Sequence, residues 1–280
     1  MGVFSNWTKT AVLLTLLTIL FLWIGSFWGQ TGLTFAIIFS LLINFGSYWF
    51  SDKIVLAMYR AKPVTKKQAE PLYKLVEEVA KEAKMPMPKV YIIPGPTPNA
   101  FATGRSPKHA AVACTEGIIA LLEREELKAV IAHEIAHIKN RDTLIATIAA
   151  TIAGIISYIA AMARWAAIFG GRDNRGNILQ FLVLAILAPI IATIIQLAIS
   201  RSREYLADAT GAKIIKNPKA LASALHKIEN GIMHYPMKFG NRAAASLFIE
   251  NPFRGEALIT LFSTHPPTKE RIKRLNQMKI

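Results

Sequence analysis

The sequence predicts a mainly α-helical membrane fold. Four transmembrane helices form two hairpins, and these carry a polar α+β part with a small sheet. Three observations point this way. Apolar residues gather in four blocks near the roughly 20 residues a bilayer core requires. Nearly all positive charge lies outside the short connections between those blocks. The polar stretches alternate between helical and strand-like patterns.

The blocks cover about residues 11–28, 33–50, 143–169 and 178–200. Gly29, Gln30, Thr31 and Gly32 separate the first two, which predicts a tight hairpin. Trp23, Trp28, Trp49 and Trp165 fall toward block ends, where amphipathic rings favour the interface. The hydrophobic fraction is 52%, above the ~45–50% of soluble domains. The first block has only Lys9 before it and runs almost directly into the second, so it reads as an anchor rather than a cleaved leader.

The chain divides into a first hairpin (1–50), a polar part (51–142), a second hairpin (143–200) and a second polar part (201–280). Of the 33 Lys and Arg residues, fifteen lie in 51–142 and fourteen in 201–280. By the positive-inside rule, both termini and both polar parts are expected in the cytoplasm. The net charge of +15 would suit nucleic acid, acidic partners or anionic lipid. Its position flanking apolar blocks favours the lipid bilayer as partner and disfavours nucleic acid. The single cysteine, Cys114, excludes an internal disulfide and a four-cysteine metal site.

Within the first polar part, 66–84 carries apolar residues at helical spacing, and Pro86 and Pro88 end it. Residues 89–93 read as a strand stopped by Pro94-Gly95-Pro96. Asn99 to Gly104 and the β-prone run 109–114 complete what reads as a small antiparallel sheet. Residues 118–122 form a short helical piece, and 123–139 a longer helix.

That longer helix contains His133-Glu134-Ile135-Ala136-His137. Two histidines at i and i+4 share one helix face, one turn apart, able to grip a single ion such as Zn²⁺. Glu134 stands beside them, placed to take a proton from a water at the metal. Catalytic zinc uses three protein ligands and one open position. A third histidine six residues on is absent, because position 143 is Thr. Glu204 is the expected third ligand. An antiparallel hairpin through the membrane returns it to the face from which His137 departed, since the two crossings have similar length at ~1.5 Å per residue. Asp208, one turn later, can accept the free N–H of a ligating histidine.

His133-Glu134-x-x-His137, Arg203-Glu204-Tyr205-x-Ala207-Asp208 and Ser263-Thr264-His265-Pro266-Pro267 together resemble the HtpX membrane zinc metallopeptidases, relatives of the CAAX prenyl protease. The resemblance covers almost the whole chain. It implies a zincin-like metallopeptidase domain holding one Zn²⁺ on His133, His137 and Glu204, with Glu134 as general base. It also implies a multi-pass protein of a prokaryotic cell membrane that cleaves misfolded or damaged membrane proteins at the cytoplasmic face. His265, in a rigid His-Pro-Pro turn, is the expected donor to the reaction oxyanion. Asn99, Ala100, Phe101 and Ala102 look like that family's strand beside the site, expected to bind substrate backbone by strand addition. Two other readings remain at this point: a prenyl-protein-type endopeptidase and a non-enzymatic membrane metal-binding protein. The predicted spans carry few polar residues, which disfavours a transport pathway.

Overall fold

The computed structural model describes residues 2–26, 29–155, 201–253 and 266–280. The later part of the third apolar block, the fourth block and His265 lie outside the described residues.

Two long helices, α1 (Gly2–Ser26) and α2 (Gly29–Met58), open the chain and pack against each other. Residues 29–32, expected as the turn, instead form the first turn of α2. The second helix also runs eight residues past the expected end of its span. Its apolar surface explains both halves of its behaviour. Phe35, Leu41, Leu42 and Phe45 are exposed, whereas Ala36, Ser40, Ser47 and Ser51 are buried. Small residues on the inner stripe let the two helices approach closely, the usual basis of helix association in lipid. Asn44, on the same stripe, donates from Nδ2 to Thr18 Oγ1 at 2.8 Å. Among the described residues, α2 alone is long and apolar enough to cross a membrane. Thr8–Trp23 and Thr143–Ile155 are shorter apolar helices.

The last turns of α2 leave the apolar sleeve and enter the polar domain. There Val55, Leu56 and Tyr59 are buried against one face of a four-stranded sheet. The strands are β1 (Lys62–Pro63), β2 (Lys89–Ile93), β3 (Ala100–Gly104) and β4 (Ala110–Thr115), in spatial order β1-β2-β4-β3. The expectation of a purely antiparallel sheet is corrected here, because β2 and β4 run parallel. The β3–β4 hairpin inserts its second strand beside β2. All six residues of β4 are buried, and its Ala-Ala-Val-Ala-Cys run suits a strand covered on both faces. Cys114 is among them, as expected for a small core side chain.

The other face of the sheet carries the main core. Helices α3 (Glu70–Glu82), α4 (Glu116–Leu121), α5 (Arg124–Lys139), α8 (Pro218–His234) and α9 (Thr268–Gln277) contribute to it. Between α5 and α8 come α6 (Thr143–Ile155) and α7 (Arg201–Ile215). Helix α6 buries Leu144, Ile145, Ile148 and Ile152 against Leu13 and Leu17 of α1. Helix α6, which follows the metal-motif helix in the chain, thus packs against the N-terminal helix α1.

Candidate metal centre

Helix α5 supplies the first two donors. Its start is set by a capping box, in which Glu123 and Glu126 each satisfy a backbone N–H of the other's end. Its finish is a Schellman turn. Asp142 N donates to His137 O at 2.9 Å, Arg141 N donates to Ile138 O at 3.1 Å, and Arg141 adopts a left-handed φ of 57°. A non-glycine residue in that region is strained, which marks this reversal as a fixed feature. The turn folds Asp142 back over His137.

Helix α7 supplies the third donor. It crosses α5 so closely that a Cβ on Gly211 would lie 2.8 Å from His133 N and 3.0 Å from Ala132 C. Glu204, Asp208 and Gly211 lie on one helix face at spacings of four and three. The crossing at Gly211 thus presses both carboxylates toward the histidines. Gly211→Ala should force the helices apart, destabilise the fold by about 1–3 kcal/mol and weaken metal binding. Unfolding and metal-titration curves would check this, and a wild-type metal affinity would show that the crossing does not position Glu204.

The three donors converge. His133 Nε2 and His137 Nε2 are 3.1 Å apart. Glu204 Oε1 lies 3.4 Å from His137 Nε2, and Glu204 Oε2 lies 3.8 Å from His133 Nε2. One ligand atom from each lies within 4.8 Å of the others. Zinc–ligand bonds of ~2.0–2.1 Å in tetrahedral geometry put ligand atoms ~3.3 Å apart. The donors therefore fit one such ion. They line a cavity of about 30 Å³ together with Glu134, Ala102 and residues 246–249. Glu134 Oε1 is buried there and has no hydrogen-bond partner among the described residues.

Around the donors stand two carboxylate–arginine pairs. Asp208 Oδ1 is 2.9 Å from His133 Nδ1. Arg271, on α9 and fully buried, grips Asp208 through Nε at 2.9 Å and Nη2 at 2.8 Å, and its Nη1 donates to Ile249 O. On the other side, Asp142 Oδ2 is 3.5 Å from His137 Nδ1, and Arg203 Nη1 is 3.5 Å from Asp142 Oδ1. Each imidazole thus has a carboxylate behind its Nδ1, which favours the tautomer with a free Nε2 lone pair.

The electrostatics follow the same plan. Burial, with Glu204 adding to it, pushes Glu134 up to about 7 against the pull of His137. Burial lowers His133, helped by the charges of His137 and Arg271 and opposed by Asp208. For His137 the Asp142 hydrogen bond and the charges of Glu204 and Glu134 outweigh burial and raise it to about 9. Burial would raise Asp208, yet Arg271 and His133 hold it down at about 2. Without metal, His137 is therefore the protonated member, and metal binding must displace that proton. Affinity should rise as pH climbs toward about 9, by up to about tenfold per pH unit, and then level off. Chelator-competition titrations across that range would check this. A flat profile would show that His137 carries no proton in the metal-free protein.

The structure brings His133, Glu134, His137, Glu204 and Asp208 together. It divides the strand residues. Asn99 is spent internally: Nδ2 donates to Glu250 O at 2.6 Å, and Oδ1 accepts from Ala100 N at 3.0 Å. Ala100 O accepts from Ile249 N. Phe101 is buried between the rings of Tyr59 and Phe248. Ala102 lines the cavity, and its N–H bonds to Glu134. Sequence reasoning gave no role to Asp142 and Arg271, nor to Arg203, although Arg203 stands in the motif that carries the family resemblance. Asp142 was readable as the last carboxylate before the third apolar block, and Arg271 as the arginine following the His-Pro-Pro turn.

A family model described as peptidase family M48 matches residues 66–279. The chain belongs to peptidase family M48. It is 57% identical over 232 residues to a "Protease HtpX homolog" of Pyrococcus furiosus, covering 82% of this chain and 80% of that one. It is 54% identical over 280 residues to the "Protease HtpX homolog" of Syntrophotalea carbinolica, covering 98% and 99%. The fold is also similar to the crystal structure of S. mikatae Ste24p, with a TM-score of 0.51, 18% identity, 97% of this chain covered and 65% of that one. M48 membership makes the chain a metallopeptidase, with the HtpX resemblance of its motifs upheld. The non-enzymatic metal-binding reading is set aside.

Proposed function

We propose that this M48 chain is an integral membrane zinc endopeptidase that hydrolyses peptide bonds of misfolded or damaged membrane proteins at the cytoplasmic face. The observation that carries the chemistry is the convergence of His133, His137 and Glu204 on a small cavity beside the unpartnered Glu134 Oε1. Two imidazoles and a carboxylate are a donor set of catalytic zinc, with the fourth position open. When bound, zinc supplies Lewis acidity, polarising a carbonyl and making water acidic near neutral pH.

The protein's own groups do the rest. Ala102 N–H steadies the Glu134 carboxylate. Glu134 Oε1 takes the proton of the attacking water and delivers it to the leaving nitrogen. Asp208 and Asp142 hold the two imidazoles in register. Substrate backbone is proposed to add beside Ala102, and His265 remains the proposed donor to the developing oxyanion. The membrane setting is supported by the exposed apolar face of α2 and by the HtpX relatives. The second hairpin and the cytoplasmic orientation belong to the same proposal, supported by the apolar blocks and the charge distribution.

The test is metal quantification alongside proteolysis of an unfolded polypeptide by the detergent-purified chain. Wild type should hold one zinc per chain. Glu204→Ala should lose it, with affinity falling at least about 100-fold, and lose activity with it. Wild-type zinc content in that variant would move the third ligand elsewhere.

A further inference from the structure

At the foot of α2, against the β3–β4 hairpin, lies a second concavity of about 440 Å³. That volume falls within the ~300–1,000 Å³ of small-molecule sites. Its lining is divided by chemistry. One wall is apolar and comes from α2, with Phe45, Trp49 and Phe50, all exposed. The other is cationic and comes from the sheet domain and the end of the span, with Lys53, Lys89, Arg105 and Lys108. Asp52 is the one acidic residue among the lining groups. None of these residues takes part in the metal site.

Two cations are held in place by the aromatic wall. Arg105 stacks over the Trp49 ring at 4.5 Å, and Lys53 lies over Phe50 at 5.4 Å. Stacking uses the face of a guanidinium and leaves its in-plane donors suited to bidentate phosphate recognition. Arg105 sits on the turn after β3, whose neighbour His109 is fixed by a 3.0 Å contact from Nδ1 to Ser106 Oγ. Arg105 and Lys108 are therefore presented from a built turn, and Lys53 from a helix. Above the pocket, Leu41, Leu42 and Phe45 continue the exposed apolar surface of α2. An occupant with a phosphate at the cations and a hydrocarbon tail along α2 would satisfy both walls at once.

The geometry points to a site for one anionic phospholipid, its headgroup phosphate held by Arg105, Lys108 and Lys53 and an acyl chain lying along α2. This rests on the proposed membrane placement of α2. The lipid would tie the sheet domain to the end of the span, since the pocket joins the two. Free phosphate shares the headgroup chemistry but offers nothing to the aromatic wall.

The full chain, reconstituted in lipid nanodiscs of mixed phosphatidylcholine and phosphatidylglycerol and then extracted in mild detergent, would be analysed for retained lipid by native mass spectrometry. Wild type should retain phosphatidylglycerol above its bulk share. R105Q/K108Q should lower that affinity about thirtyfold, since each Lys or Arg near an anionic surface contributes roughly fivefold. Lys238→Gln, on a residue that does not line the pocket, should not change it. Excess inorganic phosphate should fail to displace the lipid. Equal retention of both lipids by wild type, unchanged retention in R105Q/K108Q, or displacement by phosphate alone would each overturn the proposal. Alkaline carbonate extraction reports separately on the span: release of the chain would sink the membrane placement, whereas a chain that stays with membranes yet shows no enrichment sinks only the lipid site.

Discussion

Glu134→Gln should leave one metal ion bound and lower peptide hydrolysis by about three orders of magnitude. General acid–base catalysis by a positioned side chain contributes ~10²–10⁴-fold. The substitution preserves shape and an oxygen able to accept from Ala102 N–H, and it removes the group that takes the proton. Glu134 is 2% exposed and stands next to, not among, the three converging donors. Metal content should accordingly hold. In the metal-free site burial pushes Glu134 up to about 7. A cation at the cluster lowers it again, so the carboxylate is ionised and able to accept a proton near neutral pH. Single-turnover cleavage and metal content, measured on the same preparation, check both halves. Retained turnover would remove Glu134 from the base role, and lost metal would make it a ligand.

Arg271→Ala should destabilise the domain by about 3–5 kcal/mol, the cost of stranding one partner of a buried ion pair. Arg271 is fully buried, and its removal leaves Asp208 without the cation that keeps it ionised. It also frees Ile249 O, on the segment that walls the metal cavity. Loss of Asp208's orientation should weaken metal binding about 10–100-fold. Arg271→Lys keeps the charge but not the planar fork, so it should fall between wild type and Ala. Chemical unfolding in detergent and zinc titration would measure the two effects. Stability within about 1 kcal/mol of wild type would mean that water or another group replaces the guanidinium, against the geometry.

Two of the three proposed metal donors were legible because they rest on short-range periodicity. His133 and His137 need only a helix to share a face, and helix 123–139 was readable with Glu125 and Glu126 suited to its positive N-terminal end. Glu204 needed one more step, the expected return of the chain after the third and fourth apolar blocks. The outer groups were not legible on those grounds. Asp142 reaches His137 through a Schellman turn with a left-handed Arg141, a conformation residue types do not dictate. Arg271 reaches Asp208 across 63 positions of chain through the packing of α9 on α7 and α8. The order of the sheet was also out of reach. Alternation identifies strands and their faces, but the parallel pairing of β2 with β4 depends on where the β3–β4 hairpin docks.

Amphipathic periodicity, apolar block length and the His-Glu-x-x-His spacing were enough to read a helical membrane protein with a metal-dependent hydrolytic centre and to propose His133 and His137 as its first donors. These are local properties, governed by helix geometry and transfer of apolar surface from water. The partners behind each histidine, the contacts of Asn99 and Ala100 with residues 249–250, and the lipid-suited pocket at the foot of α2 came only with the folded chain. Each depends on which distant surfaces meet, and such meetings are selected by close packing across the whole core. The Gly211 crossing shows why. A helix sequence states that Gly211, Asp208 and Glu204 share a face, but only contact with the backbone of His133 brings that face to the two histidines as a candidate metal centre.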